Sequence, residues 1–267
     1  MKKTVALAAG FILAVIAFGA VFADLLPLPD PLAQDAFSRL LPPGDGFLFG
    51  SDNFGRDVFS RIVHGSRSSL YIAIGSVTLG TLLGTVIGTV SAYRGGWTDT
   101  VIQRLTDALL GFPILMLAVI FVVALGLSAH TVMAAIAIGV VPQMVRLARS
   151  RSLSVKEEPF ITAARARGVS SPRIMFKHVL PRTVSPILAY ATGFMGIALI
   201  IESALHFLGL GVPPPFPSWG GMLQEGRAYL EAAPWLAVFP GLVLSLTAFC
   251  FIFLGDGLRD LLDPRTN

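Results

Sequence analysis

The side chains able to do chemistry are few and scattered. Four histidines, His64, His130, His178 and His206, fall in different segments, and no H-E-x-x-H places two of them one helical turn apart for zinc. None of the four lysines, Lys2, Lys3, Lys156 and Lys177, closes a G-x-x-x-x-G-K loop, so nucleotide cannot be held in the P-loop manner. There is no G-x-S-x-G nucleophile elbow. Cys250 is the sole cysteine, which excludes an internal disulfide or a thiolate cluster. Asp52, Asn53 and Asp57 in "SDNFGRD" lack the alternate spacing of a calcium loop and read as turn-forming side chains. No catalytic residue, metal or bound cofactor is expected. Glu202 and His206 lie four residues apart on a single helical face, just past an apolar run. Ionisable groups there are costly in lipid and usually face a cavity or a partner. The expectation is a place on a translocation path or at a subunit seam, with a structural hydrogen bond as the alternative.

The elements that position these residues are membrane helices. Hydrophobic residues make up 54% and charged residues only 13% of 267, against roughly a quarter charged in soluble domains. Thr4–Ala23, Ser68–Tyr93, Ala108–Leu127, Ala129–Gln143, Thr183–Ile201 and Ala232–Leu254 contain no Asp, Glu, Lys or Arg. A helix needs about 20 apolar residues to cross the hydrocarbon core, and Ala129–Gln143 reaches that length only with its flanks. Six transmembrane helices are expected. Lys2, Lys3 and "AVFAD" also fit a cleavable signal peptide, but the run exceeds the usual 7–15-residue apolar region, roughly, which favours a retained span. With the N-terminus inside, cytoplasmic segments hold 15 of the 20 Lys and Arg, including nine between Arg146 and Arg182 and Arg265 near the end. That asymmetry places both termini in the cytoplasm and accounts for the basic balance without nucleic acid.

Between the spans, residues 24–67 form an outer segment whose end, "DVFSRIVHGSRSSL", suits a short interfacial helix. Gly80, Gly84 and Gly88 make a small-residue groove for close helix packing, within one subunit or between two. "GLGVPPPFPSWGGML" (Gly209–Leu223) has too many prolines to be helical and is expected to fold back on the outer mouth. "PFITAARARGVSSPRIMFKHVLP" (Pro159–Pro181) differs from everything around it. Phe160–Arg167 suits a short helix, Gly168 a left-handed end, and Ser171 with Pro172 the start of a second helix ending near Val179. Ala163, Ala164 and Ala166 would let a protein surface approach, with Arg165, Arg167, Arg173 and Lys177 around them. A docking knob is expected.

This stretch resembles the EAA loop of importer-type ABC transporter permeases, whose pattern is E-A-A, three residues, Gly, nine residues, I-x-L-P. Ala163, Ala164, Gly168, Leu180 and Pro181 stand at the matching positions, while Thr162 replaces the glutamate and His178 the isoleucine. "FGSDNFGRDVFSRIVHGSRSSL", "YRGGWTDTVIQRLTDALLGFP", "IIESALHFLGLGVPPPFPSWGGML" and "LGDGLRDLLDPR" are similar to the dipeptide, oligopeptide and nickel permeases, second subunit type. The resemblance implies an all-α membrane protein of six transmembrane helices with the type I ABC importer permease (MetI-like) fold. It implies residues 1–23 as first span, 24–67 as extracytoplasmic segment and 68–267 as permease core, with a coupling loop at 148–182 and an extracytoplasmic loop at 207–232. The coupling residues would be Thr162, Ala163, Ala164, Arg165, Ala166, Gly168, Leu180 and Pro181. Implied partners are a sister permease in a heterodimer, two ATPase subunits that use ATP and Mg, an extracytoplasmic binding protein and membrane lipid. The implied location is the bacterial inner membrane, multi-pass. Peptides are the expected cargo. Nickel or its chelate, an opine or an oligosaccharide are alternatives, and a proton-coupled secondary transporter or a non-transporting assembly protein are rivals of other classes.

Overall fold

The computed structural model describes residues 2–262 except Asp45 and Pro214. Met1, Arg265 and the end of the expected 68–267 core lie outside the described residues. Among these the chain is all helical, with no named strand. α1 (Lys2–Phe22) leads to a connecting segment with short 3-10 turns, then come α2 (Val58–Arg94), α3 (Gly96–Leu110), α4 (Ile114–Leu125) and α5 (Ala129–Lys156). α6 (Pro159–Ala166) and α7 (Ser171–Ile174) precede a π-helical turn, Met175–Val179, and α8 (Leu180–Phe207). α9 (Trp219–Gly226) and α10 (Trp235–Leu262) complete the order. Among the described residues, α1, α2, α5, the run from α7 through α8, and α10 are each long and apolar enough to cross a membrane. α3 and α4 qualify only as a bent pair, so the described residues hold five such helices, or six with the pair taken as one span.

That pair departs from the expected straight span over Ala108–Leu127. It bends by 90°. Pro113 has no N–H to continue α3 and pushes the residue before it out of the helical region; it becomes the N-cap of α4. At 1.5 Å per residue α4 is only about 18 Å long. α3 is held against α5 by Arg149, whose guanidinium donates twice to Asp99 at 2.6 Å, and by Arg146 on Asp107 at 2.7 Å.

The expected interfacial helix before the second span is instead the first turns of α2. Asp57 caps it by accepting Ser60 N–H at 2.8 Å, and no breaker lies between Val58 and Ser68. Gly80, Gly84 and Gly88 face α5 of the same chain. A Cβ on Gly80 would sit 2.7 Å from Val140 Cβ, and one on Gly84 2.8 Å from Val141 O. α8 and α10 meet just as closely, since a Cβ on Gly255 would lie 2.7 Å from Gly193 Cα. Around these crossings the core is aliphatic, with Ile72, Val77, Ile136, Met144, Leu199 and Leu205 fully buried. α1 lies on the outside of α10, and Arg67 from α2 donates to Ala20 O and Val21 O at its C-terminal end while pairing with Asp24 at 2.7 Å. A cation on the last carbonyls of a helix is favourable to its dipole.

Candidate coupling loop and outer-mouth site

α6 begins at Pro159, which suits a first-turn position because its missing N–H needs no partner there. Its last residue is Ala166, and just past the Arg167 C-cap Gly168 adopts φ +75°. Val169 N–H donates to Ala164 O at 3.1 Å and Gly168 N–H to Arg165 O at 2.9 Å, satisfying the end carbonyls through a left-handed residue. The second helix starts one residue earlier than expected, with Ser170 at the N-cap and Pro172 at the second position. Nor does it stop near Val179. The Met175–Val179 π turn carries it past Pro181 directly into α8. The wider turn absorbs a proline that cannot donate.

The knob has its own small core. Val155, Ile161, Ile174 and Val179 are buried together, with Phe160, Tyr93 and Val169 packed against them. Ala164 packs there too, half-buried, so of the three alanines only Ala163 and Ala166 stand exposed, beside Thr162. Arg165 lies over the Tyr93 ring at 5.4 Å. Leu180 is half-buried and Pro181 exposed at the start of α8. Arg182 of α8 pairs with Glu158 at 2.6 Å and stacks over Phe160 at 4.1 Å, holding the knob to that span. Lys156 at the end of α5 donates Nζ to Ala92 O and Tyr93 O of α2 at 3.0 and 3.1 Å, joining the two spans beneath it. The free face is therefore small, shallow and neutral, flanked by exposed Arg167, Arg173 and Lys177.

Glu202 and His206 sit at the opposite end of α8. Glu202 is wholly buried. Ser203 Oγ donates to its Oε2 at 3.0 Å and Ser69 Oγ to its Oε1 at 3.4 Å. Val212 N–H donates to His206 Nε2 at 2.9 Å, which puts the ring proton on Nδ1, 3.1 Å from Glu202 Oε1 and from Glu202 O. Trp219, fully buried, donates its backbone N–H to Ser69 Oγ at 3.2 Å and its indole N–H to Ile62 O at 3.0 Å. The network ties the end of α8, the start of α2 and the proline-rich segment together. Its close approach depends on Gly220, where a Cβ would fall 2.8 Å from His206 Cβ. The segment after Pro217 is helical, contrary to expectation, because Ser218 caps α9 by accepting Gly221 N–H at 3.1 Å. His206 borders a cavity of about 310 Å³ beneath this loop.

Beside it lies a cluster that spacing did not reveal. Arg56 meets Asp52 at 2.6 Å and Glu225 at 2.9 Å, and Arg61 meets Glu225 at 3.0 Å and Asp52 at 3.5 Å. Asp52 also accepts the N–H groups of Phe54 and Arg56, so "SDNFGRD" is a turn tied to α9. The partner, Glu225, lies more than 160 residues away, and only the tertiary fold joins them. Among the described residues no group of three His, Cys, Asp or Glu is placed to hold a metal.

Residues 80–267 match the family model described as "Binding-protein-dependent transport system inner membrane component". The dipeptide transport system permease protein DppC of Alkalihalophilus pseudofirmus is 43% identical over 246 residues, 92% of this chain and 81% of that protein. The glutathione transport system permease protein GsiD of Pectobacterium atrosepticum is 40% identical over 267 residues, 99% of this chain and 88% of the relative. Among solved structures, an inward-facing MetNI methionine ABC transporter chain superposes with a TM-score of 0.62 at 16% identity, covering 76% of this chain and 96% of that one. That likeness speaks for the fold alone. With the family model covering most of the chain and these relatives aligned along nearly all of it, the chain belongs to the binding-protein-dependent transport system inner membrane components.

Proposed function

We propose that this chain is one permease subunit of an ATP-driven peptide importer, with Thr162, Ala163 and Ala166 as the face that an ATPase subunit grips. What carries the reading is the knob between α5 and α8: a small exposed face on its own apolar core, tied to spanning helices through Arg182 on Glu158 and Arg165 on Tyr93. The relatives named for dipeptide and glutathione transport support peptides as cargo. Both termini and the knob face the cytoplasm, as the excess of Lys and Arg favours. A sister permease completes the path, two ATPase subunits use ATP and Mg, and a binding protein delivers cargo to the outer mouth in the inner membrane of a bacterial cell. When ATP closes the ATPase dimer, the knob moves and α5 and α8 rock with it.

Glu202 serves as the tie of the outer mouth in this reading. Its carboxylate is enclosed by Ser69, Ser203 and His206, which join α8 to α2. The test is uptake of labelled di- and tripeptides into vesicles holding the assembled transporter. ATP-dependent uptake that survives an uncoupler supports the proposal; uptake that the uncoupler abolishes and ATP depletion spares overturns it.

A further inference from the structure

Gln143 and Tyr190 are polar groups where hydrocarbon would be the neighbour. Gln143 lies near the middle of α5 and Tyr190 about a third of the way along α8. Tyr190 Oη donates to Gln143 Oε1 at 2.9 Å, and Tyr190 is 43% exposed on the surface of the chain. Polar side chains at such depth usually face a water-filled cavity or another protein. Beside Tyr190 runs a groove of about 430 Å³ between α5, α8 and α10. The close crossing of α8 and α10 at Gly193 and Gly255 leaves bare backbone along part of its floor. At the end nearer the knob it is lined by Arg151, Asp256 and Arg259, all exposed, and none of them forms a hydrogen bond or ion pair among the described residues. Two cations and one anion thus share a groove whose size falls in the range of about 300–1,000 Å³ typical of small-ligand sites.

Charge complementarity selects the occupant. A short unblocked peptide carries one carboxylate and one ammonium, with amides between them. Guanidinium groups suit the carboxylate, since they offer forked donors. Asp256 suits the ammonium, and Tyr190 with Gln143 can exchange hydrogen bonds with the amides. The connectivity adds a reason for movement, because α5 and α8 are the helices that enter and leave the knob.

We propose that this groove is the wall along which a transported peptide passes toward the cytoplasm, Arg151 and Arg259 meeting its terminal carboxylate and Asp256 its terminal ammonium. The proposal rests on the peptide-importer reading and adds to it the residues that meet the cargo.

The test uses the assembled transporter with Cys250→Ser as background, since Cys250 is this chain's sole cysteine, and labelling is read on this chain alone. A cysteine at Tyr190 is compared with one at Phe11, 71% exposed on α1, for reaction with a charged, membrane-impermeant thiol reagent. Tyr190→Cys should react roughly tenfold faster or more, because charge is excluded from hydrocarbon, and transported peptide should slow it. Equal rates would overturn the groove as a wet path. In the second arm, uptake of a free tripeptide is compared with its N-acetylated and C-amidated forms at matched binding-protein occupancy. Asp256→Asn should remove the advantage of the free over the N-acetylated peptide, and Arg151→Gln with Arg259→Gln that over the C-amidated one. Equal losses for free and blocked peptides would overturn the assignment. Losses that appear only in vesicles containing anionic lipid would also overturn it, assigning the cations to headgroups. A wild-type transporter that imports no peptide would sink the peptide reading and this ligand together, while the labelling arm would still decide whether the groove is wet.

Discussion

At Gly168 the backbone turns with φ +75°, and a Cβ built there would have no neighbour within 4 Å. Space is therefore not what glycine provides; conformation is. A side chain in this region adds roughly 1–2 kcal/mol of strain, less for asparagine, which visits it more readily. Gly168→Val should weaken co-purification of the ATPase subunits more than Gly168→Asn does, with the spans still inserted. Equal retention of the ATPases by both variants would remove Gly168 from the coupling account. At the other end of α8, Glu202→Ala should cost about 1–3 kcal/mol, because buried partners lose their acceptor, and Glu202→Gln should cost less. Thermal unfolding of the detergent-solubilised complex measures both. The left-handed end at Gly168 was readable from the sequence, because glycine after a short alanine-rich helix has a local meaning. The pairing of Glu202 with His206 was readable from their four-residue spacing, but Ser69 was not, because it lies 133 residues away, and Val212 reaches His206 only through the folded loop.

Among the elements, the crossing of α2 and α5 makes a sharp demand on size. A Cβ on Gly84 would fall 2.8 Å from Val141 O, whereas one on Gly75 would meet only the flexible end of Met133. Gly84→Val should destabilise the protein by roughly 1–3 kcal/mol or more through overpacking, and Gly75→Ala should be close to neutral. Comparable yields and melting temperatures for the two would contradict the packing described here. The glycine spacing pointed to close packing without naming the partner helix, since a four-residue stripe fits any smooth neighbour. The single span expected over Ala108–Leu127 is broken for a local reason: Pro113 interrupts the helix against hydropathy, and the pair bends by 90°. In the knob, alanine content hinted at docking, but only the burial of Ile161, Ile174 and Val179 turns Ala164 inward and leaves Ala163 outside.

At the scale of the whole molecule, α1 belongs with the rest. Arg67 binds its last carbonyls, and Ala6 lies where a Cβ on Gly257 of α10 would collide. N-terminal sequencing of the purified subunit should therefore find the chain intact ahead of Asp24; a start at Asp24 would contradict this. The larger claim is that the fold transmits ATPase motion through the knob into α5 and α8. Ala163→Glu tests it most directly, since it places bulk and charge on the exposed docking face and leaves the knob's core untouched. The measurement is ATP-dependent peptide uptake alongside ATPase co-purification in reconstituted vesicles, for wild type and variant at equal membrane insertion. The account predicts that Ala163→Glu loses both together; normal docking with normal uptake would show that coupling does not run through this face.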